Sequence, residues 1–250
     1  MTEEAGRLDL DGVELAWRRV PGGPPTVVWL GGFRSDMTGT KAETLAAWAE
    51  EAGRGFLRFD YFGHGESGGD FEQGGTITRW RQDALAMIDR LTEGPLVLVG
   101  SSMGGWLACL AAMARPERVA ALVLIAPAPD FTDKLMTPDL PPEALAAIAR
   151  DGVWREPSPY DPAGNPITRA LLEDGGRWSI LPGPVPIAAP VRILQGGADP
   201  DVPWPHALEL ANALNSDDVV FTLIRDGDHR LSRPQDLARL VAAVAELSAI

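Results

Sequence analysis

The chain has 250 residues, of which 45% are hydrophobic, and its 22 basic and 35 acidic residues give a formal net charge of −13. This length and composition predict one globular domain, or one domain with a modest insertion. Binding to nucleic acid depends on clustered Lys and Arg, and this acidic chain contains no long basic run, so we do not expect a nucleic-acid partner.

Features of the N-terminus and of the single cysteine bear on location. Residues 1–11 carry acidic side chains, among them Glu3, Glu4 and Asp9, and lack the apolar core of a signal peptide. The longest apolar run, residues 119–129, is too short for a membrane helix. Cys109 cannot form an intrachain disulfide, and we expect it to be a small buried side chain. These observations predict a soluble, cytoplasmic protein without a membrane span.

Taken in chain order, the predicted elements begin with a hairpin over residues 8–20, interrupted by Asp11-Gly12. Short apolar runs then alternate with stretches of helical periodicity. The predicted strands are 26–30, 55–59, 96–99, 120–125, 191–194 and 219–224, and the predicted helices are 40–52, 78–91, 103–114, 205–214 and a last one that opens with Ser232 and has its apolar positions between 237 and 247. Ser232 and Gln235 predict a capping box for this last helix. The alternation predicts an α/β fold, with a mostly parallel sheet between helices on both faces.

One proline-rich region interrupts this alternation. Residues 127–190 hold 13 of the 22 prolines and two short helical candidates, 142–150 and 167–173. Because a structureless connection of this length is uncommon unless it covers an active site, we predict a cap inserted into the sheet domain. The predicted division is therefore a first core part at 1–126, a cap at 127–189 and a second core part at 190–250. A solvated linker between two domains is the alternative.

The junction between the strand at 96–99 and the following helix carries a candidate nucleophile. It contains the pattern G-x-S-x-G as Gly100-Ser101-Ser102-Met103-Gly104, in the strand-turn-helix context of a nucleophile elbow. Such a sharp turn strains the central residue and requires small neighbours. We therefore predict that Ser102 is a nucleophile, against the alternative of a tight turn with an idle serine.

A serine hydroxyl needs a base, and the chain has three histidines. His229 follows the last predicted strand and is expected at the carboxyl edge of the sheet, where sites of α/β folds form. We predict that His229 is the base. His206 is expected at a surface position of a helix, and His64 is expected to make a hydrogen bond within a Gly-rich loop.

The carboxylate that orients the base should follow the strand at 191–194. Asp199, directly after the glycines of that turn, is the predicted residue, and Asp201 is the local alternative. Asp130, after the strand ending at residue 125, is a more distant alternative. Asp228 is adjacent to His229 in sequence and is therefore expected to point elsewhere.

Acyl transfer also needs N–H donors aimed at the developing oxyanion. The N–H of Met103 opens the helix after the nucleophile, where the helix dipole favours negative charge. The second predicted donor is the N–H of Phe33, in the Gly31-Gly32-Phe33 loop after the strand at 26–30. The same glycines could instead simply close a tight turn.

With these residues assigned, the chain resembles the α/β-hydrolase family over essentially its whole length, and the order Ser102, Asp199, His229 is the order of that family's triad. More specifically, it is similar to the α/β-hydrolase-domain group that contains a mitochondrial palmitoyl-protein thioesterase, also described as an acyl-glucuronide esterase. The segments that carry this resemblance are Gly39-Thr40-Lys41-Ala42, Arg58-Phe59-Asp60-Tyr61 with Gly63, Gly65 and Ser67, Trp80-Arg81 with Asp83, Gly100-Ser101-Ser102, Gly104-Gly105-Trp106, Arg115-Pro116-Glu117, Gly152-Val153-Trp154, Val202-Pro203-Trp204 and Asp228-His229-Arg230.

The resemblance implies a serine esterase or thioesterase that needs neither a cofactor nor a metal. The chain begins almost at the first strand, which favours a bacterial cytoplasmic homologue over a mitochondrial one. The expected partner is a small-molecule or protein-bound acyl ester or thioester, and the oligomeric state stays open. Aromatic and apolar side chains are expected to line the acyl pocket: Phe33, Met103, Trp106, Trp154, Trp178 and Trp204.

The net charge disfavours anionic substrates such as acyl-CoA, unless Arg34, Lys41 and Arg230 form a basic rim. Three other functional classes are alternatives. A ligand receptor or scaffold on the same fold is the main alternative to an enzyme. A peptidase is disfavoured because no second domain is predicted to gate peptides. A dehalogenase is disfavoured because position 102 would have to be Asp.

Overall fold

The structure is a computed structural model, and it describes residues 3–157 and 164–249. Residues 1–2 and 250 of the two predicted core parts, and 158–163 of the predicted cap, lie outside the described residues. Within the described part, ten strands have these bounds: β1 Glu4–Leu10, β2 Val13–Val20, β3 Gly23–Leu30, β4 Arg54–Phe59, β5 Leu96–Ser101, β6 Val119–Ile125, β7 Val153–Glu156, β8 Asn165–Thr168, β9 Val191–Gly196 and β10 Val219–Ile224.

Nine α-helices are described in the same two ranges. Their bounds are α1 Thr40–Ala52, α2 Phe71–Gly74, α3 Ile77–Leu91, α4 Met103–Ala114, α5 Thr137–Asp139, α6 Pro142–Asp151, α7 Arg169–Gly175, α8 Trp204–Ala213 and α9 Pro234–Leu247. A π-helical turn, Thr132–Met136, precedes α5, and a 3₁₀ turn, Gly176–Trp178, follows α7.

Eight strands form the central sheet in the order β1-β2-β4-β3-β5-β6-β9-β10. The pairs β1–β2 and β2–β4 are antiparallel, and every other pair in the sheet is parallel. The N-terminal hairpin is therefore an antiparallel addition to a parallel sheet. The predicted fold class is confirmed: this is an α/β-hydrolase fold.

Apolar side chains on both faces of the sheet explain why the central strands read as continuous hydrophobic runs. In β3, Val27 and Trp29 belong to the core beneath α1 and α9, whereas Val28 and Leu30 belong to the core beneath α3, α4 and α8. Because neighbouring side chains on a strand point to opposite faces, one short segment serves both layers.

Between β6 and β9 the chain leaves the sheet and forms α5, α6, α7 and a separate two-stranded antiparallel sheet, β7–β8. This hairpin was not predicted from the sequence. The predicted helix over 167–173 overlaps it, since residues 165–168 are β8 and α7 begins at Arg169. Thr168 ends the strand and caps the helix, because its side chain accepts a hydrogen bond from Leu171 N.

Asp130 joins the beginning of this excursion to its end. Its side chain is almost fully buried, and its carboxylate accepts hydrogen bonds from Ile180 N (2.9 Å), Leu181 N (2.9 Å) and Ser179 Oγ (2.7 Å). Each carboxylate oxygen thus has a partner near the return to the sheet, and the two ends of the segment are held together.

The start of the last helix also differs from the prediction. The residue before α9 is Arg233, which makes no side-chain cap, and Pro234 is the first helical residue. Ser232 does not cap the helix because its hydroxyl donates to Arg230 O instead. Proline at this first position needs no N–H partner, so the helix begins without a capping box.

Candidate active site

The candidate nucleophile, Ser102, lies between β5 and α4 with φ 56° and ψ −120°, a conformation that non-glycine residues rarely adopt. Two glycines permit the turn. A Cβ on Gly104 would lie 2.0 Å from Leu30 O, and a Cβ on Gly100 would lie 2.2 Å from Gly104 O. The elbow predicted from the G-x-S-x-G pattern is therefore present, and its glycines are required by contacts with backbone oxygens.

His229 and Asp199 are brought together by two loops at the carboxyl ends of β9 and β10. His229 Nδ1 lies 2.9 Å from Asp199 Oδ2. The two loops are tied by hydrogen bonds from Gly197 N to Ile224 O (2.7 Å) and from Ala198 N to Gly227 O (2.9 Å). Although the acid and the histidine are 30 residues apart in sequence, these hydrogen bonds hold their two loops together.

Hydrogen bonds keep Asp199 ionised. Burial acts to raise the pKa of this carboxyl, but the hydrogen bonds from His229 and from the backbone of Val202 and Asp201 outweigh burial and lower the pKa below its usual value. An ionised carboxylate only accepts hydrogen bonds, so His229 Nδ1 is the donor. His229 Nε2 is then the ring atom with an available lone pair.

Gln195 supports this pair and was not singled out from the sequence. Its buried amide Nε2 lies 3.3 Å from Asp199 Oδ2 and donates to Val202 O over 2.9 Å. The available signal was a polar residue after the apolar pair Ile193-Leu194, directly before the Gly196-Gly197 turn. A buried polar side chain at the end of a strand needs partners, and here the acid is one of them, beside the carbonyls of Gly196 and Val202.

The alternative acids make other contacts. Asp228 Oδ1 accepts from Leu231 N, as expected for a residue that points elsewhere. The Asp130 carboxylate accepts hydrogen bonds from residues 179–181. The exposed Asp201 donates its backbone N–H to Asp199 Oδ1. Among the described residues, the hydrogen bond from His229 therefore favours Asp199.

Asp199, Asp201 and His229 also form a group that could in principle hold a metal ion, with one ligand atom from each within 4.8 Å of the others. The hydrogen bonds argue against this use. Asp199 Oδ1 accepts from two backbone N–H groups, and Oδ2 accepts from His229 and Gln195. We therefore interpret the group as an acid–base pair.

Ser102 and His229 line the same cavity, which has a volume of about 690 Å³. The predicted oxyanion residues Phe33 and Met103 line it as well. Its other lining residues are Arg34, Ala128, Phe131, Leu135, Met136, Asp139, Leu140, Pro141, Trp154, Glu156, Asn165, Ile167, Pro200, Asp201 and Val202. The cavity thus lies between the elbow and the segment that leaves the sheet after β6.

Of the four tryptophans expected in the pocket, Trp154 lines this cavity, and the expectation for the other three is corrected. Trp106 is fully buried and donates to Trp178 O over 3.2 Å, and Trp178 donates from Nε1 to Thr78 Oγ1 over 2.7 Å. Trp204 is 41% exposed. Trp106 therefore lies in the core, and the partly buried Trp178 packs against that core.

The expected basic rim is present only in part. Arg34 lines the cavity, but Lys41 and Arg230 are not among the lining residues. Lys41 Nζ instead donates to Arg230 O over 2.5 Å, and burial lowers the pKa of Lys41 to about 8. This lysine therefore contacts the backbone of the loop that carries His229.

The other two histidines are buried. His206 was expected at the surface of a helix, but it is only 8% exposed, because its Nε2 lies 2.8 Å from Pro129 O and ties α8 to the segment after β6. His64 makes hydrogen bonds within its loop and to Arg34, as described below. Neither is among the residues that line the cavity.

This fold and this elbow define a class. The chain belongs to the α/β-hydrolase family and is a hydrolase: residues 25–154 match the family model described as "Serine aminopeptidase, S33". The curated relatives include the bovine (Bos taurus) protein "Palmitoyl-protein thioesterase ABHD10, mitochondrial", which is 39% identical over 236 residues, covering 93% of this chain and 76% of the relative.

Two solved structures extend the comparison. A putative hydrolase from Agrobacterium vitis S4 is 46% identical, with a TM-score of 0.93, and the match covers 99% of this chain and 100% of the other. The mouse "Alpha/beta hydrolase domain-containing protein 10" is 36% identical, with a TM-score of 0.88 and coverage of 98% of both chains. The family resemblance predicted from the sequence is therefore confirmed, and the relatives support activity on ester or thioester bonds.

The comparison corrects the expected location. The curated relatives from cattle, mouse and human are named mitochondrial proteins, which contradicts the cytoplasmic location expected from the sequence. The composition of a folded domain carries little information about location, because targeting segments set it. Within the described residues, no helix is both long and apolar enough to cross a membrane.

Proposed function

We propose that this protein is a serine hydrolase that cleaves carboxylic ester or thioester bonds through an acyl-enzyme intermediate. The observation that carries the proposal is the hydrogen bond of 2.9 Å between His229 Nδ1 and Asp199 Oδ2, beside a cavity that Ser102 also lines. Ser102 is held in a strained conformation at the start of a helix, as a nucleophile elbow requires. These features suit acyl transfer to a serine.

The first step transfers the acyl group to the enzyme. Asp199 keeps the Nδ1 hydrogen of His229 in place, so that Nε2 accepts the proton of the Ser102 hydroxyl as its oxygen attacks the carbonyl carbon. The oxyanion that forms is stabilised by the N–H groups of Phe33 and Met103. His229 then gives the proton to the departing alcohol or thiol, and the acyl group remains on Ser102.

The second step releases the acid. A water molecule loses a proton to His229 Nε2 and attacks the ester carbonyl of the acylated Ser102. The same two N–H groups stabilise the second oxyanion, and the proton returns to the serine oxygen when the bond breaks. The chemistry uses protein groups and water throughout, so the proposed mechanism requires no cofactor.

The cavity supports an acyl substrate. Apolar side chains from the elbow and from the segment after β6 line it, among them Phe131, Leu135, Met136, Leu140, Trp154 and Ile167. All six belong to the range 127–189, which we propose is a cap insertion that supplies the wall of the acyl pocket. The relatives named palmitoyl-protein thioesterases support a fatty acyl chain as the group that enters it.

Charge around the cavity favours neutral substrates. One arginine, Arg34, and three carboxylates, Asp139, Glu156 and Asp201, line it, and the whole chain carries a net charge of −13. Repulsion by these charges lowers the local concentration of an anionic substrate. We therefore expect neutral esters, neutral thioesters and acylated protein side chains to react faster than acyl-CoA.

The serine mechanism is tested with a fluorophosphonate probe, which reacts with an activated serine. We expect the wild-type protein to be labelled and Ser102→Ala not to be labelled. The neighbouring Ser101→Ala variant is the matched control and should retain labelling, because Ser101 ends β5 and is not among the residues that line the cavity. An unlabelled wild-type protein, or equal labelling of Ser102→Ala, would contradict the proposal.

The substrate class is tested by hydrolysis of p-nitrophenyl esters, acyl thioesters and acyl glucuronides over a series of chain lengths. We expect hydrolysis of esters and thioesters that is lost in His229→Ala. Aminoacyl anilides provide the peptidase comparison, because the matched family model carries a peptidase description. Faster hydrolysis of the anilides than of the esters would contradict the proposed substrate class.

A further inference from the structure

A buried histidine lies beside the proposed oxyanion loop and has no part in the mechanism above. The loop after β4 contains Asp60, His64 and Ser67, and the loop after β3 contains Phe33 and Arg34. The side chain of His64 is only 4% exposed, although it lies in a loop. A buried polar ring in a loop needs hydrogen-bond partners, and those partners indicate what it does.

The two partners of His64 define its protonation. His64 Nε2 accepts a hydrogen bond from the backbone N–H of Arg34 over 3.1 Å, so Nε2 carries no hydrogen. His64 Nδ1 lies 3.1 Å from Phe62 O, and a carbonyl oxygen can only accept, so Nδ1 carries the hydrogen. The ring is therefore neutral, with its hydrogen on Nδ1. Burial supports this assignment, since it lowers the pKa of His64 to about 4.

Arg34 needs such a partner because its backbone is strained. Gly32 O accepts a hydrogen bond from Ser35 N over 3.1 Å, which makes residues 32–35 a tight turn with Phe33 and Arg34 at its centre. Arg34 has φ 55°, in the region that usually requires glycine at the third position of a turn. The hydrogen bond to His64 stabilises the orientation of the Phe33–Arg34 peptide that this conformation demands.

The tight turn at residues 32–35 also fixes the proposed oxyanion donor. The N–H of Phe33 lies in the same peptide plane as Gly32 O, because the peptide bond that joins the two residues is planar. Whatever holds the turn at residues 32–35 therefore also holds the direction of Phe33 N–H. A second tether acts a few residues later, where Asp60 Oδ1 accepts from Met37 N over 2.7 Å.

Aromatic packing holds the loop after β3 against the loop after β4. The His64 ring packs edge-to-face on Trp80, with centroids 5.2 Å apart, and lies 5.3 Å from Phe71. The Phe33 ring contacts the same two side chains, at 5.9 Å and 5.4 Å. The acceptor on His64 and the donor on Phe33 are thus held by one aromatic cluster.

We propose that His64 is a positioning residue for the reaction: by accepting the N–H of Arg34, it holds the turn that aims Phe33 N–H at the oxyanion. It does not touch the substrate. The inference rests on the proposed function, because it assumes that Phe33 N–H stabilises an oxyanion. The loop after β4 would then affect the reaction rate through His64, although it does not contact the substrate.

The test compares His64→Leu, which removes the acceptor, with His64→Gln, whose side-chain carbonyl can restore it. The measurements are kcat, KM and the inhibition constant of an acyl trifluoromethyl ketone, which forms a tetrahedral adduct with a nucleophilic serine. We expect His64→Leu to lower kcat about tenfold to hundredfold with little change in KM, and to weaken the inhibitor by a similar factor. His64→Gln should recover part of both losses.

Two further measurements separate positioning from general damage. Fluorophosphonate titration gives the fraction of folded active sites, and rates are expressed per titrated site. His206→Leu is the matched control, because it alters another buried histidine outside the proposed machinery, and it should leave the inhibition constant per site unchanged. An effect of His64→Leu that disappears after this correction, or that His206→Leu reproduces, would overturn the inference.

The wild-type protein provides a readout that no folding defect can obscure. Nitrogen-15 spectra of the ring should show His64 with its hydrogen on Nδ1 and no titration between pH 5 and 8. A hydrogen on Nε2 would overturn the inference, even if the variants failed to fold. Failure of the proposed function looks different: the wild-type protein would not be labelled at Ser102. If the wild-type protein is labelled and His64→Leu is fully active, the inference about His64 is overturned while the proposed function stands.

Discussion

The Asp199 carboxylate receives four hydrogen bonds, and the one that defines its role is the bond of 2.9 Å from His229 Nδ1 to Oδ2. The other three come from Gln195 and from the backbone of Asp201 and Val202, and they fix the carboxylate against rotation. The histidine is therefore oriented by a group that cannot turn away.

Asp199→Asn removes the charge but keeps the shape. An amide no longer enforces the hydrogen on His229 Nδ1, so we expect kcat to fall on the order of 10⁴-fold. Asp201→Asn tests the neighbouring carboxyl and should lower kcat less than about tenfold. Initial rates with a p-nitrophenyl ester measure both. The opposite ranking of the two variants would assign the role to Asp201.

Gly104→Ala should destabilise the fold strongly. The added Cβ would lie 2.0 Å from Leu30 O and 2.5 Å from Gly31 O, and a backbone oxygen cannot rotate away. We expect a loss of about 3 kcal/mol in the free energy of unfolding, measured by urea denaturation. Gly183→Ala is the control, because nothing lies within 4 Å of its added Cβ, and it should change stability by less than about 1 kcal/mol.

Trp154→Ala should change substrate binding more than turnover. The indole lines the cavity and packs against the cluster of Leu140, Ala144, Ile148 and Ile167. Loss of this apolar wall should raise KM for medium-chain esters about tenfold, with kcat nearly unchanged. Trp204→Ala removes an exposed indole outside the cavity lining and should leave KM within about twofold. Equal effects of the two variants would contradict the assigned pocket.

Asp60 makes stability depend on pH. Burial raises the pKa of this carboxyl to about 6, with a contribution from the charges of Asp36 and Glu66, although backbone hydrogen bonds from Glu66 and Met37 oppose the shift. Between about pH 4 and pH 6 the folded protein keeps a proton that the unfolded chain has released. Raising the pH through this window therefore lowers the free energy of unfolding.

The variant Asp60→Asn lacks this proton, so the stability difference between the wild-type protein and the variant isolates the effect. We expect the free energy of unfolding of the wild-type protein, minus that of the variant, to fall by on the order of 2 kcal/mol from pH 4 to pH 6 and to stay constant above pH 6. Urea denaturation across this range measures it. The exposed Asp217→Asn is the control and should parallel the wild-type protein. A difference that grows with pH would contradict the sign.

The sequence predicted the position of those residues of the candidate site that depend on local backbone geometry. Ser102 could be placed because the glycines at positions 100 and 104 are demanded by the elbow itself. Asp199 and His229 could be placed because the carboxyl ends of neighbouring parallel strands meet at one edge of the sheet. Their hydrogen bond follows from the order β9, β10 at that edge.

The residues that the sequence placed wrongly depend on contacts between distant segments. Trp106 and Trp178 were expected in the pocket, but each has a hydrogen-bond partner away from it, Trp178 O and Thr78 Oγ1 respectively. His206 is buried by a contact with Pro129, 77 residues away. A local sequence pattern does not specify which distant segment will pack on a given side chain. These contacts could therefore not be predicted from the sequence.

The environment of Cys109 has a practical consequence for measuring thioester hydrolysis. It is the single cysteine of the chain, it is fully buried in α4, and burial raises the pKa of its thiol to about 12. The folded enzyme therefore presents no reactive thiolate to a disulfide reagent. A colorimetric reagent for free sulfhydryls would report only the thiol product, and turnover of an unlabelled acyl thioester could be followed continuously without a background from the enzyme.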